Sequence, residues 1–406
     1  MKRLTFFIFP VAVWLSFLVS DVLAQSLTLE EIMRIALKVN PELQSLDNLV
    51  KSREGAVQQA DVALNPSIGG SLGNRTQLFK LGQELEFPGK RSARTNAAAE
   101  EVEVARNEFR FGMLQLEREV TGLFYDLLWA QRNVELLQEN VNINEKFLEA
   151  ASYKFNQGFG SKLDVVKGQV EIAHAKRLLN SAEQEFLTTE NKLRILLKIA
   201  FTQPLALKGD LTLSVVQAPQ GLDSLLSTAY QSHPSLLLEQ HRLKEAQYTV
   251  QLAELSSKPN FNLGLSGGIE DLERAATLSI SIPLAIWDTK EGAKSEAQFQ
   301  QKSVEYSLEN IRTNISKQVT SAFQAYQAAT QAAKLFEDTL LREAKEAAEM
   351  AKKAFETSGF RFLDLIDAQR TYLDARLEYL NSLRALRHAE IDLQTSTGIP
   401  IYGGQQ

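Results

Sequence analysis

Cysteine is absent from this 406-residue sequence, and proline and glycine are sparse, with 10 and 21 residues. The lack of cysteine excludes disulfide frameworks, zinc-thiolate sites, iron-sulfur clusters and a cysteine nucleophile. The low proline and glycine content excludes collagen-like chains and disordered chains rich in these residues. A net charge of −6 provides no basic surface for nucleic acid, so we expect no nucleic-acid partner.

Motifs for catalysis or cofactor binding are also missing. The sequence contains no P-loop, no dinucleotide-binding glycine fingerprint and no Gly-x-Ser-x-Gly elbow. Its four histidines are scattered, and no two of them are three or four residues apart, the spacing that would make a metal-binding pair on a helix. We therefore expect neither enzyme activity nor a cofactor nor a resident metal site.

Residues 1–24 are typical of a secretory signal peptide. Lys2 and Arg3 precede an apolar run over residues 4–19, and a small-residue cleavage site ends at Ala24. The alternative is a transmembrane anchor, but the run is shorter than the roughly 20 residues that a spanning helix needs and it contains Pro10. We expect an exported protein.

Two long stretches without proline predict very long helices. Pro88 and Pro204 are separated by 115 residues, and Pro283 and Pro400 by 116. Because interior proline costs a helix about 3 kcal/mol, its absence favours helices of this length. Positions at a mean spacing of 3.5 residues predict a left-handed coiled coil. These seam positions are Leu116, Val120, Leu123, Leu127, Ala130, Val134, Leu137, Val141, Asn144, Leu148, Ala151 and Phe155 in the first stretch, and Ile315, Val319, Ala322, Tyr326, Ala329, Ala333, Phe336, Leu340, Glu343, Ala347, Met350 and Ala354 in the second.

Glycines interrupt each stretch once, at residues 155–161 and 355–361, and predict a reversal of the chain. We therefore predict two long helical hairpins, over residues 90–200 and 288–398. One amphipathic helix precedes each hairpin, over about residues 27–64 and 222–257.

The two halves of the chain are copies of one unit. Asn40-Pro41 matches His233-Pro234 at a separation of 193 residues, and Asp164 matches Asp364 at 200. This regular offset predicts a first repeat at 25–200, a linker at 201–221, a second repeat at 222–398 and a tail at 399–406.

Alternating apolar residues predict one β-hairpin in each repeat, at residues 66–88 and 259–284. Strands of about 10 residues are long enough to cross an outer membrane when tilted, with the apolar side chains facing lipid. The alternative is a soluble sheet that covers a core. The predicted lipid-facing residues are Phe79, Leu81, Leu85, Phe87, Phe261, Leu263, Leu265, Leu278, Ile280 and Ile282.

Four strands cannot close a barrel, because known transmembrane barrels have at least about eight. Open sheet edges cannot face lipid either. If the hairpins cross a membrane, several chains must therefore contribute to one barrel. Trp287, just after the last strand, fits an aromatic belt at a membrane interface or a buried core position.

A signal peptide and a duplicated helix, β-hairpin and helical hairpin, with Leu-Asp after each reversal, resemble the TolC-like outer-membrane efflux proteins over nearly all of the mature chain. The resemblance implies a mainly α fold with a small β part. Members are homotrimers, in which each chain gives four strands to a 12-stranded outer-membrane barrel and the helices form a periplasmic tunnel, with the linker in an equatorial region. Such a channel catalyses nothing and works with a periplasmic adaptor (membrane fusion) protein and an inner-membrane pump. Residues 83–91 (QELEFPGKR) are similar to the heavy-metal-exporter branch.

The same resemblance implies a gate where the tunnel narrows near the hairpin tips, formed by an Asp-x-x-Asp pair from each chain. Asp364 and Asp367 match this pair, while the first repeat has Asp164 followed by Lys167. A spacing of three places both carboxylates on one side of a helix, and six of them in a trimer would favour cations. The alternative is that they only stabilise the helix dipole. Arg361 is one residue out of step with an arginine that latches the tips in some relatives, which leaves its pairing with Asp164 open.

The tip residues Gly158, Phe159, Gly160, Gly359 and Phe360 match the region where the family meets its adaptor. A plain turn would need the same glycines. We predict a passive efflux duct; the competing hypothesis is a secreted structural coiled coil that acts as a spacer or filament. Metal ions, small drugs and secreted polypeptides are all consistent with the sequence as cargo.

Overall fold

The computed structural model describes residues 26–202, 205–213, 221–270, 273–357 and 361–401, so the predicted signal peptide lies outside the described residues. Both halves have the same order of elements, and the predicted fold class is confirmed. The first half contains α1 (Leu29–Val39), α2 (Pro41–Ala60), β1 (Ser67–Leu72), β2 (Gln77–Leu85), α3 (Lys90–Asn156) and α4 (Lys162–Leu197). The second contains α5 (Leu222–Ser232), α6 (Pro234–Ser256), β3 (Phe261–Glu270), β4 (Glu273–Ser281), α7 (Glu291–Leu335), a π-helical turn (Phe336–Leu340), α8 (Leu341–Thr357) and α9 (Phe362–Thr397).

The prediction of one helix before each β-hairpin is wrong, because a proline divides it in both repeats. Pro41 and Pro234 each start a new helix, and the residue before a proline is driven out of the helical conformation. Asn40 and His233 are accordingly extended, with ψ of 121° and 119°. The Asn40 side chain accepts a hydrogen bond from the backbone N–H of Leu43 at 3.0 Å and so caps α2.

The long arms differ between the repeats. α3 is one uninterrupted helix of 67 residues, which is about 100 Å at 1.5 Å per residue. The matching arm of the second repeat is interrupted by the π-helical turn, which the seam pattern does not predict. Tyr379 of α9 donates a hydrogen bond to Glu337 of this turn at 3.1 Å, and burial together with this bond raises the pKa of Tyr379 to about 12. Among the helices of the described ranges, none combines the length and apolarity that a bilayer span requires.

The helices form two open rows that share α3. Near the sheet the order is α2, α3, α6, α7, and toward the tips it is α4, α3, α9, α8. Each row therefore has two edges within the chain, α2 and α7 in one and α4 and α8 in the other. The predicted seam lies inside these rows for most of its length, with Val120, Leu127 and Val319 almost fully buried.

In α8 the predicted seam is displaced by one residue. Glu343, Ala347 and Met350 are exposed. The cause is the π-helical turn, which adds one residue to a helical turn and so rotates the following helix about its axis. The residues that are buried instead each lie one position later and are Ala344, Ala348, Ala351 and Phe355.

A polar contact joins the middle of α3 to the second half of α9. Asp126 of α3 accepts hydrogen bonds from His388 and Arg384 of α9, each at 2.7 Å. Burial alone would raise the pKa of Asp126, but these two hydrogen bonds outweigh it and hold the pKa below its usual value. The carboxylate of Asp126 is therefore ionised at neutral pH when α3 and α9 are paired.

Candidate channel surfaces and tip

The four strands form one antiparallel sheet in the order β1, β2, β3, β4. Directly opposed residues share a face of such a sheet. Leu81 is opposite Ile68 on one side and Leu265 on the other, and Leu265 is in turn opposite Leu278. This register brings the predicted apolar residues of β2, β3 and β4 onto a single face, together with Ile68 of β1.

The apolar face is exposed in the chain. Phe79, Leu278 and Ile280 are 68%, 75% and 66% exposed. The opposite face carries mainly serine, threonine and glycine, as at Ser266, which is opposite Thr277. The described residues therefore do not cover this sheet with a core. Of the predicted residues in the strands, Leu81, Leu85, Leu263 and Leu265 are also exposed, and Phe261 is half-buried.

The sheet is tied to the helices by a polar junction just beyond β2. Phe87 lies two residues past the end of this strand, is half-buried, and donates its backbone N–H to Asn260 Oδ1 at 3.1 Å. Lys90 Nζ donates to the same oxygen at 2.8 Å and to the carbonyl of Lys258 at 2.6 Å. Arg94 donates to both carboxylate oxygens of Glu86 through its two terminal guanidinium nitrogens, at 2.5 and 3.2 Å. The sequence suggested no such network, although QELEFPGKR supplies two of its charges, Glu86 and Lys90.

Asp364 lies in the first turn of α9 and Asp367 one turn later. Asp364 is half-buried and Asp367 exposed, so both carboxylates reach solvent in the single chain. Asp164 occupies the matching first turn of α4, which Ser161 caps. Among the ion pairs of the described residues, none joins Arg361 to Asp164, and Arg361 instead precedes α9 as its N-cap.

The tips are held together by a small apolar cluster and one cation. Phe355, Phe362 and Leu365 are nearly fully buried there. Lys154 reaches across from α3, where its ammonium donates to the carbonyl of Phe355 at 2.5 Å and lies 3.7 Å from the centre of that ring. The Lys154 side chain therefore links the tip end of α3 to the tip end of α8.

The turn of the first hairpin requires its glycines. Gly158 has φ of +82°, and a side chain on Gly160 would lie 2.7 Å from the backbone nitrogen of Phe155. Phe159 is 88% exposed at the end of the turn. Gly359 and Phe360 of the second tip lie outside the described residues.

Behind the tip lies a cavity of about 90 Å³ between α3, α4 and α9 that the sequence did not identify. Arg370 of α9 pairs with Glu171 of α4 beside it at 2.5 Å. Asn140 and Asn144 line it and bond to each other on α3. The only indication of this cavity in the sequence was a polar residue, Asn144, at a seam position. No group of three or more histidine or acidic residues in the described ranges could hold a metal ion.

Long paired helices joined to a small sheet with an exposed apolar face are the architecture of a membrane channel subunit. The chain belongs to the outer membrane efflux protein family, whose model matches residues 32–197 and 225–399. The cobalt-zinc-cadmium resistance protein CzcC of Cupriavidus metallidurans is 28% identical over 89% of this chain and 87% of that protein. A crystal structure of CusC superposes with a TM-score of 0.77 at 18% identity, covering 91% of this chain and 92% of that one. The open-state MtrE channel of Neisseria gonorrhoeae superposes with a TM-score of 0.76 at 20% identity, covering 93% and 91%.

The predicted class is therefore confirmed: the protein is an outer-membrane efflux channel of a tripartite system, it extends into the periplasm, and it is not an enzyme. Members of the family form trimeric channels that work with adaptor proteins and inner-membrane pumps. The soluble spacer is excluded as the function of this chain.

Proposed function

We propose that three copies of this chain close side by side, with β4 of one copy pairing with β1 of the next and α8 lying beside the next α4. The observation that carries this arrangement is the four-stranded sheet, which exposes an apolar face while, within the described part of the chain, β1 and β4 each pair with one strand. Open edges cannot face lipid. Three such sheets supply 12 strands, which exceeds the minimum of about eight for a closed barrel.

The free helix edges offer matching apolar stripes for this contact. On α4, Val166, Val170 and Ala173 are exposed along one side, and on α8 Ala347 and Met350 are exposed where the π-helical turn has rotated the seam away from α9. Val170 lies eight residues from the tip end of α4 and Met350 seven from that of α8. The two side chains are therefore at the same height above the tip.

A cross-linking experiment tests this contact. Because the sequence contains no cysteine, only the introduced cysteines can react with the cross-linker. We expect the double variant Val170→Cys/Met350→Cys, treated in membranes with a short bismaleimide, to give covalent dimers and trimers on denaturing gels. Each single-cysteine variant is the matched control and should stay monomeric. Only monomers from the double variant would contradict the proposed α4–α8 contact.

The remaining surfaces take their roles from this arrangement. The apolar face contacts the acyl chains of outer-membrane lipid, because the other face carries the polar residues that suit a water-filled lumen. The tip residues Gly158, Phe159 and Gly160, with Gly359 and Phe360 of the second hairpin, dock the periplasmic adaptor. An exposed Phe159 beside glycines permits close packing of another helical hairpin.

Asp364 and Asp367 form an acidic ring at the narrow end, with six carboxylates in the trimer. Both reach solvent and neither is neutralised by an ion pair among the described residues. Asp164 adds a carboxylate at the matching place on α4, and Arg361 lies at the start of α9 beside the ring. Like charges in a narrow passage raise the local concentration of cations and repel anions.

We propose divalent transition-metal ions as the cargo. The support is the similarity to a cobalt-zinc-cadmium resistance protein over nearly the whole chain, together with the QELEFPGKR segment. A strain that lacks this protein should grow less well than its parent on cobalt, zinc or cadmium, and normally on hydrophobic toxins. Sensitivity to the toxins alone would assign the channel to drug export.

A further inference from the structure

The second repeat leaves the sheet through a longer segment than the first. One residue, Gly89, separates Pro88 from α3, whereas residues 284–290 separate Pro283 from α7. Both helices follow an N-cap residue in the left-handed conformation, Gly89 before α3 and Lys290 before α7. The second repeat therefore contains additional residues between the helix end of the sheet and the long helix. We call residues 282–287 (IPLAIW) the apolar strap.

The apolar strap is exposed along its whole length. Ile282, Leu284, Ile286 and Trp287 are 46%, 77%, 64% and 93% exposed. A core position for Trp287 within the chain is therefore wrong. In the sequence, residues 282 and 284 continue the alternation of Leu278 and Ile280, and a turn follows in which the N–H of Ile286 donates to the carbonyl of Leu284 at 3.0 Å. The strap therefore adds exposed apolar surface directly beyond the end of β4.

Charged residues follow directly after the apolar strap. Asp288 accepts a hydrogen bond from the backbone N–H of Lys290 at 3.2 Å, and the two side chains form an ion pair. The corresponding exit from β2 is different, because Lys90 and Arg94 bind it to the protein. An apolar segment bounded by a strand on one side and by charges on the other matches the polarity change across a membrane interface, where tryptophan is enriched.

We propose that the apolar strap lies in the headgroup region of the periplasmic leaflet and binds the phospholipid surface there, with Trp287 as its anchor. All four strands join their helices at this end of the sheet, which places it at the periplasmic boundary. The inference rests on the proposed contact of the apolar face with lipid, with which the strap is continuous. The other occupant would be the neighbouring copy, which carries exposed Val62 and Leu64 beside β1.

Tryptophan fluorescence tests this placement, since the sequence has three tryptophans, Trp14, Trp129 and Trp287. Trp14 lies in the predicted signal peptide, and Trp129 is 8% exposed and donates to Asn381 at 3.1 Å. The variant Trp14→Phe/Trp129→Phe is reconstituted into phospholipid vesicles that carry bromine either near the headgroup or at the acyl end. We expect strong quenching of Trp287 by the shallow bromines and weak quenching by the deep ones.

The control variant Trp287→Phe retains Trp129, whose emission should be insensitive to both lipids. If Trp129→Phe prevents folding, the wild-type protein is compared with Trp287→Phe instead. The difference in quenching between these two proteins is the contribution of Trp287. Conductance of the reconstituted channel is recorded in parallel. A conducting channel with unquenched Trp287 would overturn the strap's placement and assign it to the neighbouring copy, whereas a chain that neither inserts nor conducts would contradict the proposed function itself.

Discussion

Leu278→Arg is expected to abolish the trimer in the outer membrane, whereas the adjacent Thr277→Arg is expected to leave it intact. Leu278 is opposite Leu265, at the middle of β3, and is 75% exposed on the apolar face. An arginine on the lipid face near the bilayer midplane costs about 2–4 kcal/mol. The cost arises in every copy, so a trimer bears it three times.

The measurement is the amount of trimer in outer-membrane fractions on unheated gels, with total expression as the reference. Thr277 is opposite Ser266 on the polar face, so its arginine would enter the water-filled lumen. The two substitutions add the same charge at neighbouring positions of one strand. Equal loss of trimer in both variants would mean that the face of the sheet does not decide the outcome, and normal trimer in Leu278→Arg would place this face away from lipid.

Local periodicity is the part of this fold that the sequence could predict. Alternation at Phe79, Leu81 and Leu85 identified β2, and the spacing through Val120 and Leu127 identified the buried side of α3. Both signals depend only on which side chains face water, which is a property of each element by itself. The acidic pair Asp364 and Asp367 was singled out by the family resemblance, and local spacing added only that both lie on one side of α9 near its start.

The features that the sequence did not predict depend on single backbone events or on contacts between distant segments. The break at Pro41 needs the neighbouring Asn40 to cap the next helix, although the proline itself was evident. The π-helical turn at Phe336–Leu340 has no distinctive composition, yet it displaces the buried side of α8 by one residue. The junction of Lys90 with Asn260 joins residues 170 positions apart, which no local pattern reveals.

The double variant Asp364→Asn/Asp367→Asn is expected to lower the cation-to-anion permeability ratio of the channel toward unity. It is also expected to weaken block of the channel by divalent ions. The change removes six negative charges from the narrow end of a trimer while keeping the size of the side chains. Since 1.4 kcal/mol is a factor of ten in occupancy, a loss of about that energy for a cation in the ring would reduce the permeability ratio roughly tenfold. Reversal potentials in planar bilayers under a salt gradient measure this ratio directly.

A matched control removes the same charge from the other end of α9. Glu390 pairs with Arg387 at 2.6 Å and Asp392 with Arg118 at 2.8 Å, so Glu390→Gln/Asp392→Asn should leave selectivity unchanged. If Asp364 and Asp367 only stabilise the helix dipole, their loss would lower thermal stability by about 0.3–1 kcal/mol for each residue in the first turn and would leave the reversal potential where it was. A displaced reversal potential with an unchanged melting temperature identifies the ring as the selectivity element, because helix capping cannot produce that combination.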